Sequence, residues 1–92
     1  MKNGERYNNG QIVSQMDGNI QTHYFKDGKT RARGKYIDEM MEGEWTFYRA
    51  TGQLWQIGNF LANEKHGKWT RYDRDGNVEY DETFENGKIV KK

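Results

Sequence analysis

The stretch Gly43-Glu-Trp45-Thr-Phe-Tyr48-Arg-Ala-Thr-Gly52-Gln-Leu54 returns further on as Gly67-Lys-Trp69-Thr-Arg-Tyr72-Asp-Arg-Asp-Gly76-Asn-Val78. Gly, Trp, Tyr, Gly and an aliphatic recur in order, Phe60 and Phe84 extend the match, and the offset is 24 residues throughout. A period of that size makes the chain a stack of copies of one supersecondary unit, because one copy cannot bury its own apolar face. The content of the unit says which kind. Short runs rich in Thr, Tyr, Phe, Trp, Ile and Val flank a turn pair, as in a β-hairpin. The turn pairs Asn9-Gly10, Asp17-Gly18, Asp27-Gly28, Asp75-Gly76 and Asn86-Gly87, with Thr51-Gly52 in the middle copy, predict type I′ hairpin turns with positive φ at both positions.

Working outward, the repeat decays. Tyr24, Gly28, Gly34 and Tyr36 precede Tyr48, Gly52, Gly58 and Phe60 by the same 24 residues, but Gln21 stands at the Trp position. Tyr7-Asn-Asn-Gly10-Gln-Ile12 is fainter still, and Asn86-Gly87-Lys88-Ile89-Val90 reads as a shortened final connection. The whole chain is therefore one repeat domain over 1–92: a degenerate cap unit over 1–19, units over 20–42 and 43–66, and a third with its cap over 67–92. Atypical terminal units suit an array that must close its ends. Ile37-Asp-Glu-Met-Met-Glu42 is the one helix-compatible run, too short to stand alone, and reads as a connecting loop.

Composition agrees with a thin array. The 92 residues are 33% hydrophobic and 32% charged, too few aliphatics for a thick core, while aromatics reach 14%. Each buried aromatic covers about 150–250 Å², so a single layer joined by aromatic contacts is feasible. The expected fold is all-β, an elongated, twisted, single-layer antiparallel meander of about seven or eight strands. At ~4.8 Å per strand it is about 35–40 Å long. The end strands are exposed edges, with Glu5, Arg6, Lys88, Lys91 and Lys92 placed to discourage edge pairing.

Alternation then assigns the two faces of the second strand of each unit. Thr30, Ala32, Gly34 and Tyr36, with Leu54, Gln56, Gly58 and Phe60 and with Val78, Tyr80, Glu82 and Phe84, form the packed face. The opposite face reads Arg31, Arg33, Lys35 in one unit, Trp55, Ile57, Asn59 in the next, and Glu79, Asp81, Glu85 in the last. In the first strand Trp45 and Tyr48 are three residues apart, which puts them on opposite faces unless a bulge intervenes.

Gly-x-Trp-x-x-Tyr-x-x-x-Gly-x-Leu followed by Phe and an Asn-Gly-type connection resembles the MORN repeat, and more narrowly its bacterial variant in antitoxin-like proteins. The resemblance covers 43–87 well and 20–42 fairly. It implies an elongated sheet of hairpins, a binding or scaffolding role towards protein or membrane surfaces, and no enzymatic activity. Gln21 for Trp, Glu82 for Gly and the shortened first unit depart from the pattern.

Charge and motifs exclude several functions. Basic and acidic residues number 15 and 14, seven and seven in 1–46 and eight and seven in 47–92, so neither half has the basic excess that drives nonspecific nucleic-acid binding. Without Cys there is no thiolate metal site or disulfide framework. Asp73-Arg-Asp75-Gly76-Asn77 lacks the length and flanking helices of a calcium loop and reads as a hairpin turn. A single-hairpin likeness of Arg71–Val78 to the YD repeats of toxin shells is convergence on turn chemistry. His23 and His66 have no nucleophile motif beside them and read as ordinary surface histidines. No cofactor is expected, nor a signal peptide or apolar span, and the cytoplasm is the expected location.

The candidate binding residues are Trp55, Ile57, Trp45, Trp69, Arg31, Arg33 and Lys35. Trp45 and Trp69 read as a stacking ladder between repeats in preference to an aromatic groove. Trp55 is different, because its equivalents are Arg31 and Glu79 and the repeat does not require it. Trp55 with Ile57 forms a small apolar patch that is either a contact site or a surface covered by the N-terminal segment. The expected function is a non-catalytic protein-interaction module, with another protein as partner. The alternative is a peripheral membrane binder through Arg31, Arg33 and Lys35, each worth about 1 kcal/mol near anionic lipid. The basic first unit and acidic last unit also suggest weak self-association.

Overall fold

In the computed structural model, which describes residues 5–90, there is no helix among the described residues and nine strands form one antiparallel sheet. The strands are β1 (Ser14–Asp17), β2 (Ile20–Tyr24), β3 (Thr30–Ile37), β4 (Met40–Tyr48), β5 (Leu54–Leu61), β6 (Glu64–Lys65), β7 (Gly67–Tyr72), β8 (Val78–Glu85) and β9 (Lys88–Ile89). Each pairs with its sequence neighbour, except that β5 pairs with both the short β6 and β7. The meander spans 47 × 35 × 18 Å, the expected thin array. Lys91 and Lys92, among the expected edge charges, lie outside the described residues.

The connections alternate between two types, one at each end of the strands. At one end lie the loops Tyr7–Gln11, Phe25–Lys29, Arg49–Gln53 and Asp73–Asn77. Each closes with two bonds: the first residue's N–H donates to the fifth residue's C=O, and the glycine's N–H donates to the first residue's C=O. Only the glycine has positive φ in each, so these are not the expected type I′ turns. The residue before the glycine has no positive φ, and in three of the four loops it is the capping residue. The side-chain oxygens of Asn9, Asp27 and Thr51 accept the N–H two residues on, and Asp73 serves its loop the same way. This bond from Lys29 N–H holds the Asp27 carboxyl below the usual carboxylate range.

At the other end are two-residue turns: Gly18-Asn19, Asp38-Glu39, Ala62-Asn63 and Asn86-Gly87. The last three have positive φ at both positions, at offsets of 24 residues. Ile37–Glu42 is therefore not a connecting loop. It is the end of β3, a turn and the start of β4, with non-glycine residues held left-handed at Asp38 and Glu39. The neighbouring turn is held by contacts to β4: Asn63 N–H donates to Met41 O, Met41 N–H donates to Asn63 Oδ1, and Ala62 N–H donates to Glu42 Oε1.

The unit that repeats is a tryptophan lying on a glycine. Trp45 pairs in register with Gly34 on one side and Gly58 on the other. Its ring covers Gly34 so closely that a Cβ there would sit 2.3 Å from the indole, and a Cβ on Gly58 would sit 2.1 Å from that of Trp69. Each indole N–H donates to the carbonyl just past its glycine, Trp45 to Lys35 O at 2.9 Å and Trp69 to Asn59 O at 2.8 Å. Trp45 is fully buried and Trp69 is 3% exposed, so both belong to the core. The rings of Phe60 and Phe84 stand edge-on to Trp45 and Trp69 with centroids 6.2 and 6.3 Å apart. The ladder is continuous, from His23 through Trp45, Phe47, Phe60 and Trp69 to Phe84. Burying a ring that size against glycine, with its N–H satisfied, stabilises a single layer that has no opposing sheet.

Candidate binding groove

Near the loop end of each hairpin the strand register slips by one residue. His23 faces Ala32 but Tyr24 faces Thr30; Phe47 faces Gln56 but Tyr48 faces Leu54; Arg71 faces Tyr80 but Tyr72 faces Val78. The residues passed over are Arg31, Trp55 and Glu79, again 24 apart. Such bulges re-aim a side chain. Strict alternation puts all three on the face opposite the tryptophans, and for Arg31 and Trp55 the bulge overturns that assignment. Trp55 lies under the Arg71 guanidinium at 5.2 Å, and Arg71 faces Gln56 on the packed side, donating to its Oε1 at 3.3 Å. The same guanidinium lies 5.2 Å from Tyr80.

This overturns two expected groupings. Ile57 pairs with Thr46 and Thr70 on the other face, so Trp55 and Ile57 do not form one apolar patch. Arg31 is likewise separated from Arg33, which lines a small polar depression with Thr22 and Gln15, and from Lys35. Thr30 lines that same depression and Val78 is 58% exposed, so neither joins the packed face. Nor do the described N-terminal residues cover Trp55. They bond to the neighbouring loop instead, Tyr7 Oη to Tyr24 O and Asn9 Nδ2 to Lys26 O.

The bulges bring Arg31 and Trp55 into one open groove of about 780 Å³ on the aromatic side, with Phe25, Phe47, Arg49 and Arg74. Ala32, Trp45 and His23 form part of its lining. No carboxylate lines it. The only ion pairs among the described residues are Lys29–Asp27 and Lys68–Asp81, so none of the groove's three arginines is paired with a described carboxylate. Arg31 lies 5.9 Å from the Phe25 ring. Arg49 donates from Nη2 to Tyr72 O at 3.0 Å, while its Nε is buried with no acceptor. Gln53 also reaches across, to Arg74 O, tying adjacent loops together.

His23 is not the surface residue expected. It is half-buried, its ring 6.0 Å from Trp45 and its Nε2 2.9 Å from Gln21 Oε1. Burial, with the positive charge of Arg31 adding to it, pushes its pKa below 6.5. His66 precedes β7, where its backbone N–H donates to Asn59 O. No group of three His, Cys, Asp or Glu side chains is placed to hold a metal among the described residues, and no helix there is long and apolar enough to cross a membrane. The groove was missed in the sequence because Arg49 and Arg74 sit in turns whose ends meet only in the folded sheet.

Stacked hairpins joined by a tryptophan-on-glycine contact define an all-β hairpin-repeat protein. Residues 41–62 and 65–86 each match the family model of the MORN repeat variant. Repeats of this class are generally interaction modules for proteins or membranes. No curated protein and no solved structure matches the chain.

Proposed function

We propose that the chain is a non-catalytic interaction module of MORN-repeat type that binds another protein through the groove around Trp55. The observation that supports this most is the groove itself: aromatic, open, and filled by none of the chain's own described segments. Trp55 stands where the fold demands a bulge but no particular side chain, since Arg31 and Glu79 occupy the same place elsewhere. A large ring at such a position is free to serve binding, and aromatic anchors in pockets carry much of the energy of protein interfaces. An antitoxin-like role, covering a partner's working surface, is one form of this activity, and the cytoplasm is its proposed setting.

Membrane binding is the weaker reading. Arg31 does not share a face with Arg33 and Lys35, which leaves two exposed charges of about 1 kcal/mol each for anionic lipid. Selection of a random peptide library on the immobilised protein tests the proposal. Peptides retained by wild type and lost by a folded Trp55→Glu variant are the expected result. Equal retention by both would move binding elsewhere on the sheet.

A further inference from the structure

The three guanidiniums of the groove have no ion-pair partner among the described residues. Arginine is suited to carboxylate recognition because its planar fork donates two parallel hydrogen bonds. Two carboxylates nearby in sequence are engaged elsewhere: Asp27 pairs with Lys29, and Asp73 accepts the N–H groups of its own loop. Arg49 adds a more local signal, a buried Nε donor without an acceptor at the groove wall. A buried donor left unmade is costly, and Arg49 is the one guanidinium of the three that carries such a donor.

Resting on the reading of the groove as a protein-binding site, we propose that its occupant is an extended acidic segment of the partner. Its carboxylates meet Arg31, Arg49 and Arg74, and an apolar side chain lies against Trp55 and Phe47. The dimensions suit such a segment. From the Phe25 loop to the Asp73–Asn77 loop is four strand spacings, about 19 Å, the length of roughly six extended residues. A long polyanion fits less well. The net charge is only +1, and the bulge residue of the third unit is Glu79, followed by Asp81 and Glu82, so the positive field ends with the groove. Fully exposed lysines would attract any anion, whereas Arg31 beside the Phe25 ring, in a groove that also holds Trp55 and Phe47, favours a ligand with both charge and apolar surface.

The test is the composition and energetics of peptides selected from the random library. Acidic peptides with an aromatic or aliphatic residue are the expected winners. Against the tightest of them, Arg31→Ala and Arg74→Ala should each weaken binding about tenfold by fluorescence anisotropy, with Arg33→Ala on the other face unchanged. Binding should also weaken as salt rises. Neutral or basic winners that still require Trp55 would overturn the acidic assignment and leave the interaction module standing. No peptide retained over Trp55→Glu would overturn both. Tighter, Arg31-dependent binding to phosphatidylserine vesicles or to a single-stranded oligonucleotide would show the partner class to be wrong.

Discussion

Two rows of side chains cross this sheet, and they obey different rules. In the row at mid-strand, identity repeats: Trp45 on Gly34, then Trp69 on Gly58, each indole bonding the next carbonyl. In the bulge row near the loops, geometry repeats but identity does not, running Arg31, Trp55, Glu79. The first row is constrained by contact on every side, since any atom added to the glycine meets a ring. The second is constrained only in its backbone, so its side chains are free to create a surface. In a repeat protein, sameness marks what holds the units together and variation at a fixed backbone position marks where they differ in use.

Substitutions can break that contrast. The largest effect belongs to Trp69→Ala, which empties the first row and should cost about 3–5 kcal/mol in denaturant unfolding. That is a large share of the roughly 5–15 kcal/mol expected for a domain. At the two-residue turns, Ala62→Gly should stabilise by about 1 kcal/mol, because Ala62 is held at φ 50° where a Cβ is penalised. Beside the second row, Arg71→Ala removes a cation held between Trp55 and Tyr80 and should cost only about 0.5–1 kcal/mol. Smaller still, Glu79→Arg should change stability by no more than about 0.5 kcal/mol. A loss as large as that of Trp69→Ala would mean the bulge row is structural too.

Acid sharpens the same comparison at His23, which lies on Trp45 and also lines the groove. Because its folded pKa lies below the unfolded value of 6.5, protonation favours the unfolded chain. Its contribution should be intact above about pH 6.5 and decline as pH falls below that, an effect absent from His23→Gln in melts across the range.

The mid-strand row was readable from residues alone, because a Trp and a Gly that recur every 24 positions are visible without coordinates. The antiparallel strands and the single layer follow from it, whereas the edge-on setting of Phe60 and Phe84 is visible only in the fold. The bulge row was not, since period-two alternation carries no mark of a skipped residue. The spacing of Trp45 and Tyr48 left room for a bulge between them, but none lies there: the extra residue is Trp55, on the strand opposite. Asp38-Glu39 and Ala62-Asn63 lack glycine and so gave no turn signal, although Asn86-Gly87 at the same offset would have located both. His23 was misread for a similar reason, as its neighbour Trp45 lies two strands away.

The central claim is that close tryptophan-on-glycine packing holds the repeats together, and one substitution made at two glycines tests it directly. Equilibrium unfolding of Gly58→Ala and Gly76→Ala should differ sharply. A Cβ at Gly76 meets open space and is penalised only for its φ of 85°, about 1 kcal/mol, whereas at Gly58 it must displace the Trp69 ring. The account predicts that Gly76→Ala stays folded with a slightly lower midpoint, and that Gly58→Ala loses several times more stability together with the burial of Trp69. Equal losses at the two positions would contradict it.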